Sequence, residues 1–482
     1  MSTSLSFNVM RPSSGLLSTW SLPIPALVST ASRRLLVLDV ARAAVHHVLQ
    51  SSVHTGHVDV VEHDGTLIRF GEADDASAGS KLRPRHGQII IHDETFWLRV
   101  FVSYDIGFSE AYLNGEVESP DLKELFNASS IYIDNYQHFA ASSTRIVHVL
   151  GSLKEMLTLR FGHSLSKAIE NVAVYEASNE LYQAFLSEDM MYSCPIWDDL
   201  EGGIRGDEEG KRRKGDLESA QRRKIEYILC KARLRPGDRV LEIGSGWGAM
   251  AIAAARTGCT VDTLTLSVEQ CNLARQRVRE AGLEDRVRVH LMDYRQMPPE
   301  FEKAFDACIS VEMLEAVGDR WMPTYIKQID WALKDDRATV VLTASTYPDG
   351  GRAALSSNNF ARKYHWPNCV LPTATSLIIA FSDTLHGRFS LESVDNFGTH
   401  YPRCLREWGR RFEENWTPRL VQSLQDRHPS LKHERNLQIF KRRWQYMFLY
   451  GEVGFSRGWL SLNCWTFVRP VRALTNPSCD DY

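Results

Sequence analysis

The sequence predicts an α/β fold, in which a central and mostly parallel sheet of seven strands follows a smaller α+β domain. Two observations support this prediction. From residue 239 onward, short apolar runs alternate with helical stretches, which is typical of a parallel sheet covered by helices on both faces. Before residue 165, apolar runs alternate with turn residues instead, which indicates a separate unit with a different architecture.

The amino-terminal part contains a predicted helix followed by predicted strands. Residues 31–49 predict the helix, and residues 88–91 and 96–101 carry the β-branched and aromatic side chains typical of strands. A chain of 482 residues is long enough for two or three domains of about 100–200 residues each. We therefore expect an accessory domain over residues 1–165 and a second domain over residues 166–482.

The second domain contains the strands of the large sheet. A helix is predicted over residues 216–234, and strands are predicted at residues 239–243, 260–266, 287–291, 305–311 and 338–343. Residues 387–397 and 459–468 would complete the seven strands. The glycine-rich, highly charged segment 202–214 has two interpretations: a solvated loop, or a mobile lid whose basic side chains contact anionic head groups.

A glycine-rich turn at residues 244–248 follows the first strand of the large sheet. It stands where a strand ends and a helix begins, so backbone N–H groups can face a bound ligand. The turn also fits the dinucleotide pattern G-x-G-x-x-G/A, which expects an acidic residue at the tip of the next strand. Asp262 lies well before that tip, where Thr265 and Ser267 stand instead, and Gln270 follows one turn into the next helix. This arrangement favours a Rossmann-like S-adenosylmethionine site over an NAD site.

Composition restricts the partners and cofactors that we expect. The net charge of −4 gives no general attraction for nucleic acid, and the nine cysteines include no C-x-x-C pair, so no metal site is predicted. No run of about 18 apolar residues occurs, and residues 1–22 lack the basic and apolar segments of a secretory signal. We expect a cytoplasmic protein, with peripheral association with a membrane as an option.

Four further segments narrow the interpretation. They are residues 192–194 (Tyr-Ser-Cys), 293–295 (Asp-Tyr-Arg), 311–318 (Val-Glu-Met-Leu-Glu-Ala-Val-Gly) and 401–408 (Tyr-Pro-Arg-Cys-Leu-Arg-Glu-Trp). Together with the glycine turn, they resemble the cyclopropane-fatty-acid synthase family, which includes the mycolic acid cyclopropane synthases and related lipid C-methyltransferases. The resemblance covers about residues 165–470, and residues 107–115 resemble the amino-terminal domain of eukaryotic members.

The resemblance implies a class I methyltransferase domain with S-adenosylmethionine as its cofactor. The residues that it assigns to cofactor binding are Tyr175, Tyr192, Ser193, Gly244, Gly246, Gly248, Thr265, Leu266, Gln270 and Tyr294. In the family, the double bond of an acyl chain attacks the methyl group, and the resulting carbocation loses a proton to close a cyclopropane ring. An unsaturated lipid is therefore the expected substrate. The resemblance also implies membrane contact by the amino-terminal domain and is compatible with a homodimer.

The same resemblance places Cys194, Glu315 and Tyr401 around bicarbonate, which takes up the proton in the family. Glu315 is the first candidate, because a carboxyl group in an apolar site has a raised pKa and can share a proton with bicarbonate. Each residue also has an ordinary structural interpretation. Cys194 would be a buried apolar residue, Glu315 a helix cap, and Tyr401 part of the core.

Two departures from the family pattern weaken the prediction of ring closure. The usual Glu-His pair is Glu315-Ala316 here, and Thr343 matches a histidine that many bacterial members carry. The alternative is a methyl-branched or methylene product on a sphingolipid or a specialised-metabolite alkene. A lipid-binding protein without activity and a dehydrogenase are the rival classes. The apolar run at residues 366–372 is either ordinary packing or part of an acyl tunnel.

Overall fold

The computed structural model describes residues 30–53, 57–71, 86–128, 178–349, 359–367 and 369–470. These residues form a sheet of four strands and a sheet of seven strands, each with its own helices. The predicted α/β fold with a smaller amino-terminal unit is thereby confirmed. The predicted domain boundary at residues 165 and 166 lies outside the described residues and stays a prediction.

The amino-terminal unit has three helices and four strands among the described residues. They are α1 (Thr30–Ser52), β1 (His57–Val61), β2 (Leu67–Gly71), β3 (His86–Ile91), α2 (Thr95–Asn114), β4 (Val117–Glu118) and α3 (Leu122–Ala128). The strand order is β2-β1-β3-β4, in which only β1 and β3 run parallel. Val60, Phe70, Trp97 and Val117 are buried together between this sheet and the helices.

The prediction of a strand at residues 96–101 is wrong, because these residues form the first turns of α2. Phe96 and Trp97 are buried, whereas Phe101 and Val102 are exposed, so the burial follows one face of a helix and not alternate residues. Packing of Trp97 against the sheet outweighs the preference of aromatic and β-branched residues for strands. The predicted helix at residues 31–49 and the predicted strand at residues 88–91 are confirmed.

The larger unit begins with α4 (Asn179–Phe185) and α5 (Asp216–Lys231). The sheet region then comprises β5 (Arg239–Ile243), α6 (Ala249–Arg256), β6 (Thr260–Thr265), α7 (Val268–Glu280), β7 (Val287–Leu291), β8 (Ala307–Val311), α8 (Met322–Ala332) and β9 (Thr339–Thr346). The remaining elements are α9 (Phe360–Tyr364), α10 (Ala374–Leu385), β10 (Ser390–Asn396), α11 (Tyr401–Glu414), α12 (Pro418–Arg427), α13 (Glu434–Ser456) and β11 (Ser461–Val468). All seven predicted strands of this unit are present, with small differences at their ends.

The strand order of the large sheet is β10-β11-β9-β8-β5-β6-β7. Strands β5 to β9 run parallel to one another, and β11 runs antiparallel to both of its neighbours. The chain leaves β5 toward β6 and returns to its other side through β8, so the strand order reverses at β5. In open α/β sheets a crevice forms at such a point, beyond the carboxyl ends of the strands.

Both faces of the large sheet are covered by buried side chains. Leu241 and Ile243 of β5 belong to the cluster on one face, and Val240 belongs to the cluster on the other. A third cluster, rich in aromatic residues, joins α4, α11 and α13. Within it, the Phe185 ring lies 5.9 Å from Trp408 and 5.4 Å from Trp444. This aromatic cluster forms a wall beside the crevice at β5.

The charged segment at residues 202–214 is tied to α11 by ion pairs. Asp207 accepts hydrogen bonds from Arg406 and Arg410 at 2.7 Å each, and Arg212 pairs with Glu407 at 2.8 Å. Its other basic residues, Arg205, Lys211, Arg213 and Lys214, are exposed. The predicted lid therefore has an anchored part and an exposed basic part, and its contact with head groups stays a prediction. None of the helices described here has both the length and the apolar character required to cross a bilayer.

Arg403 of α11 is the buried centre of this attachment. It donates to the carbonyl oxygen of Glu201 at 2.7 Å and pairs with Asp216 at 3.0 Å. Its guanidinium group also lies 4.1 Å from the centre of the Trp197 ring. A buried guanidinium with all of these partners orients the segment that leads from residue 194 toward α5.

Replacing Arg403 with methionine should lower the free energy of unfolding by roughly 3–5 kcal/mol, because the buried Asp216 carboxylate loses its countercharge. Chemical denaturation measures this change. Arg419→Met is the matched control, since Arg419 is exposed on α12 and its loss should change stability by about 0.5 kcal/mol or less. Equal stability of the two variants would contradict the proposed role of Arg403.

Candidate active site

A cavity of about 400 Å³ lies at the carboxyl ends of β5, β6 and β8. Its lining includes the glycine turn, the tip of β6, the residues that follow β8, and side chains from α11 and α13. This is the crevice expected where the strand order reverses. Many of the residues singled out in the sequence meet there.

The glycine turn brings the backbone to the wall of the cavity. Gly244 and Gly246 have positive φ angles of 103° and 48° and line the cavity. A Cβ atom at Gly244 would meet the Met313 side chain at 3.1 Å, whereas nothing lies within 4 Å of one at Gly246. That open space is a place where a ligand can approach the backbone closely. Gly248 does not line the cavity, and a Cβ atom there would meet the Ala274 side chain of α7 at 3.2 Å.

The tip of β6 supplies hydroxyl and amide groups to the same cavity. Thr265 donates a hydrogen bond to Gln270 Oε1 at 2.9 Å and accepts one from the Ser267 backbone at 3.1 Å. Ser267 also caps α7. Thr265, Leu266 and Gln270 all line the cavity, and Tyr294 lies on its wall beside them. A ribose could be bound by these neutral groups.

Asp262 is not available to a ribose, in agreement with its position before the strand tip. Its carboxylate pairs with Arg239, Arg288 and His290, each at 2.9 Å. Burial raises its pKa, but hydrogen bonds from His290 and the two arginines outweigh this effect and hold the pKa well below its usual range. A dinucleotide site would require an acid that binds the ribose, but the Asp262 carboxylate is instead held in a structural cluster of ion pairs.

Tyr192 and Ser193 close another side of the cavity. The Tyr192 ring lies 5.2 Å from Trp408, within the aromatic cluster. The Ser193 hydroxyl accepts a hydrogen bond of 2.6 Å from the ammonium group of Lys224, which is 4% exposed. Burial lowers the pKa of Lys224 to about 8. A buried lysine on α5 thus places its charge behind the wall of the cavity.

Two carboxyl groups after β8 form the polar part of the cavity. Glu312 accepts a hydrogen bond from the Cys194 backbone at 2.8 Å on one oxygen and from the Tyr401 hydroxyl at 2.5 Å on the other. Glu315 accepts from the Ser345 backbone at 2.6 Å on Oε1. Its Oε2 atom is buried and has no hydrogen-bond partner among the described residues. The accessible surface of both glutamates faces the cavity.

The protonation of this group follows from its surroundings. Burial, and then the neighbouring Glu312 charge, raises the pKa of Glu315 to about 8, so Glu315 is protonated at neutral pH. Burial also raises the pKa of Glu312, opposed by its bonds from Tyr401 and Cys194 and by the Lys224 charge. Burial holds the pKa of the Cys194 thiol far above its usual value. Cys194 contributes its backbone N–H, while its thiol points toward the Pro195 carbonyl at 3.4 Å and does not line the cavity.

Glu242 is a third acid beside the glycine turn. Its carboxyl group is 3% exposed and accepts a 2.5 Å hydrogen bond from Thr263, whose hydroxyl also lies 2.7 Å from Ser245. Burial raises its pKa to about 8. Glu242 therefore places a neutral carboxyl group under the turn at neutral pH.

The remaining lining of the cavity is mainly apolar, and part of it comes from one face of α13. Met447, Tyr450, Gly451, Gly454 and Phe455 recur every three or four residues and all line it. The Phe455 ring stacks on Tyr401 with 4.2 Å between ring centres. Trp366, Pro367 and Leu371 also line the cavity. The apolar run at residues 366–372 thus lines the cavity in part, while Val370 and Pro372 are buried outside it.

Another face of α13 contacts the amino-terminal unit. The Tyr446 ring lies 4.9 Å from Phe126 of α3 and 5.5 Å from Tyr112 of α2. Arg442 pairs with Glu118 of β4 at 2.9 Å. One helix therefore touches both the cavity and the amino-terminal unit.

The structure assembles most of the predicted site residues around one cavity. Those that line it are Tyr192, Ser193, Gly244, Gly246, Thr265, Leu266, Gln270, Tyr294, Glu315 and Tyr401. Gly248 and Cys194 lie behind its wall, and Tyr175 lies outside the described residues. Sequence reasoning missed Glu312, Glu242 and Lys224. A signal existed for Glu312, because an acid directly after a buried parallel strand stands at the ligand-binding edge of the sheet.

This fold and site define a class I S-adenosylmethionine-dependent methyltransferase. Residues 163–464 match the family model described as mycolic acid cyclopropane synthetase, which spans more than half of the chain. The chain belongs to this family, and the resemblance seen in its sequence is confirmed. It is accordingly an S-adenosylmethionine-dependent enzyme, and the dehydrogenase alternative is excluded.

Curated relatives include enzymes with different named products. A tuberculostearic acid methyltransferase of Mycobacterium tuberculosis is 33% identical over 82% of this chain and 86% of its own length. The cyclopropane-fatty-acyl-phospholipid synthase of Escherichia coli is 29% identical over 75% and 84%. A sphingolipid C9-methyltransferase of Candida albicans is 28% identical over 64% and 57%.

Solved structures with lower identity share the fold. A cyclopropane synthase from Mycobacterium tuberculosis superposes with a TM-score of 0.51 at 21% identity, covering 62% of this chain and 98% of the other. A coclaurine N-methyltransferase gives a TM-score of 0.57 at 16% identity, covering 76% and 99%. Both likenesses support the architecture of the large sheet.

Gly246→Ala should weaken S-adenosylmethionine binding by about tenfold or more, because the new methyl group occupies the open space at the turn. Gly282→Ala is the matched control, since Gly282 also has a positive φ and open space but does not line the cavity. Both variants should lose about 1–2 kcal/mol of stability to backbone strain. Calorimetric titration separates the two effects, and equal affinity in both variants would contradict the assignment of the turn.

Stability should depend on pH through Glu242. An acid whose folded pKa of about 8 exceeds its ordinary value of 4.5 binds more protons when folded, so its contribution is complete below pH 4.5 and is lost as the pH rises through 8. The ligand-free protein should therefore show a decrease in Tm between pH 5 and 8 that Glu242→Gln reduces. Glu300→Gln, an exposed control, should leave the decrease unchanged. Identical profiles for all three proteins would contradict the raised pKa.

Proposed function

We propose that the enzyme transfers a methyl or methylene group from S-adenosylmethionine to the cis double bond of an unsaturated lipid acyl chain. The observation that carries this proposal is the continuity of one cavity. It is lined by the glycine turn, by Glu312 and Glu315, by one face of α13, and by Trp366, Pro367, Cys369 and Leu371. A cavity that has polar groups beside a glycine turn and a mainly apolar lining elsewhere suits a small cofactor next to an aliphatic chain.

Adenosylmethionine fits the polar end of the cavity. The open space at Gly246 admits a ligand to the backbone, and Thr265 and Gln270 offer neutral partners to a ribose. Tyr192 and Ser193 would border its methionine end, with Tyr175 and Tyr294 as further candidates. Bound adenosylmethionine supplies an electrophilic methyl group.

The apolar lining of the cavity would position the lipid acceptor and protect the carbocation that forms on it. An alkene is a weak nucleophile, so the walls of the cavity must hold its double bond in line with the methyl group. The aromatic side chains of Trp366, Tyr401 and Phe455 would also exclude water, which would otherwise trap a carbocation. Met447 and Leu371 would pack against the hydrocarbon on either side of the double bond.

A cyclopropane fatty acyl group is the first product that we propose, because the family match and the Escherichia coli relative are named for cyclopropane synthesis. A methyl-branched or methylene product is the second candidate. It is favoured by the relative named as a tuberculostearic acid methyltransferase and by the relatives named as sphingolipid C9-methyltransferases. Ala316 in place of the family histidine also favours this second candidate, because it removes a polar partner from the site.

We also infer that the enzyme is cytoplasmic and reaches its acyl chain at a membrane surface through the amino-terminal unit. Val40 of α1 and Phe101 and Val102 of α2 are 58%, 46% and 62% exposed, and would offer apolar groups to the interior of a bilayer. The exposed basic residues 211, 213 and 214 would add attraction for anionic head groups.

The decisive experiment incubates the purified protein with methyl-labelled S-adenosylmethionine and vesicles of unsaturated phospholipid, followed by mass spectrometry and NMR of the lipids. We expect a gain of CH₂ together with high-field cyclopropane protons. A gain of CH₂ with vinylidene protons would identify the methylene product instead. Absence of labelled lipid, with the cofactor still bound, would overturn the choice of a phospholipid acyl chain as the acceptor.

Glu315→Gln should reduce turnover by about 100-fold or more, while S-adenosylmethionine affinity stays within about threefold, because the amide cannot pass on a proton that the pair of neighbouring carboxyl groups, Glu312 and Glu315, receives. Product formation and calorimetry measure the two quantities. Glu284→Gln, an exposed substitution of the same chemistry, should change neither. Turnover of Glu315→Gln near the original rate would show that Glu315 has been misassigned.

A further inference from the structure

The backbone at Glu312 has a conformation that few side chains adopt. Its φ angle is +47°, which costs about 1–3 kcal/mol for a residue other than glycine. The conformation is held by two hydrogen bonds from the Glu312 N–H to Thr343, at 2.9 Å to its carbonyl and 3.1 Å to its hydroxyl. Thr343, which stands where many bacterial members of the family have a histidine, therefore stabilises the backbone turn at Glu312. The result is a carboxyl group directed toward the cavity.

Both oxygens of the Glu312 carboxyl group accept a hydrogen bond. Oε1 receives the Cys194 backbone N–H and Oε2 receives the Tyr401 hydroxyl. The Lys224 ammonium group adds a positive charge nearby, bonded to Ser193 beside Cys194. Glu315 has only one donor and an unpaired second oxygen among the described residues. The negative charge of the pair is therefore best stabilised on Glu312, and Glu315 is the partner that stays protonated.

Bicarbonate, which the family resemblance placed among Cys194, Glu315 and Tyr401, does not fit this arrangement. Two of the donors that an anion would require at this place are already bonded to Glu312. An additional anion would also lie next to the Glu312 carboxylate, and two like charges in an apolar cavity repel each other strongly. The position predicted for an external base is filled by a side chain of the protein.

We propose that the Glu312 carboxylate is the proton acceptor of the reaction and acts in place of bicarbonate. This inference rests on the proposed methyl transfer. After that transfer, a C–H bond of the new methyl group breaks, its electron pair forms the last carbon–carbon bond of the ring, and the proton moves to a Glu312 oxygen. For a methylene product, the same C–H electron pair forms the double bond instead, after a hydride shift within the acyl chain. The proton leaves the same carbon in both cases, so one base serves both products.

The test compares wild type, Glu312→Gln and Glu312→Gly, each with and without millimolar bicarbonate in buffer depleted of carbon dioxide. Wild-type turnover should be independent of bicarbonate. Glu312→Gln should lose about 100-fold or more of turnover, without rescue, because the amide fills the space but accepts no proton. Glu312→Gly should lose as much, and added bicarbonate should restore about tenfold or more, since the glycine leaves both donors free and space between them. S-adenosylmethionine affinity should stay within about threefold throughout.

A second measurement needs no acceptor and so separates this inference from the proposed function. Bicarbonate should raise the Tm of Glu312→Gly in a saturable manner and should leave wild type unchanged. His386→Gly is the matched control, because His386 has a φ of +46° but lies exposed at the end of α10, so its replacement relieves similar strain without creating an anion site. A lack of lipid product with wild type would contradict the proposed function alone. Saturable stabilisation of wild type by bicarbonate, a bicarbonate requirement for turnover, or activity of Glu312→Gln near the original rate would overturn the role of Glu312.

Discussion

This active site depends on one physical requirement: three carboxyl groups, those of Glu242, Glu312 and Glu315, must be stabilised beside an apolar cavity. Glu242, Glu312 and Glu315 lie at or below the carboxyl edge of a parallel sheet, where water has little access. Full ionisation of all three would be prohibitively unfavourable in an apolar environment. The three carboxyl groups instead accept different numbers of hydrogen bonds. Glu312 accepts two, and Glu315 and Glu242 accept fewer. One charge can then exist next to a cavity that a hydrocarbon chain can also enter.

The hydrogen-bond donors to these carboxyl groups come from parts of the chain that are distant in sequence and must be positioned together. Tyr401 begins α11, Cys194 belongs to the segment before α5, and Ser345 and Thr343 come from β9. The buried Arg403, two residues after Tyr401, fixes the segment at residues 201–216 to α11. The structural ion pairs behind the site therefore control the distances between the groups that face the cavity.

Much of this architecture could be predicted because it depends on local patterns. The strands of the large sheet follow from their apolar runs, and the glycine turn follows from the requirement for close backbone approach. The position of Asp262 before the strand tip was sufficient to favour the correct class of cofactor. Contacts between distant segments could not be predicted in this way. Glu312 depends on a left-handed backbone fixed by Thr343, and the helical state of residues 96–101 depends on packing of Trp97.

The double contact of α13 has a consequence for how members of such a family can diverge. This helix lines the cavity with Met447 and Phe455, and with Tyr446 and Arg442 it holds the amino-terminal unit. A substitution that repacks α2 or α3 would also affect the packing of α13 and, through it, the lining of the cavity. Under the proposed function, the amino-terminal unit would therefore contribute, through α13, to the selection of acyl-chain length and double-bond position. Exchange of that unit between homologues would transfer substrate preference only together with a matching α13.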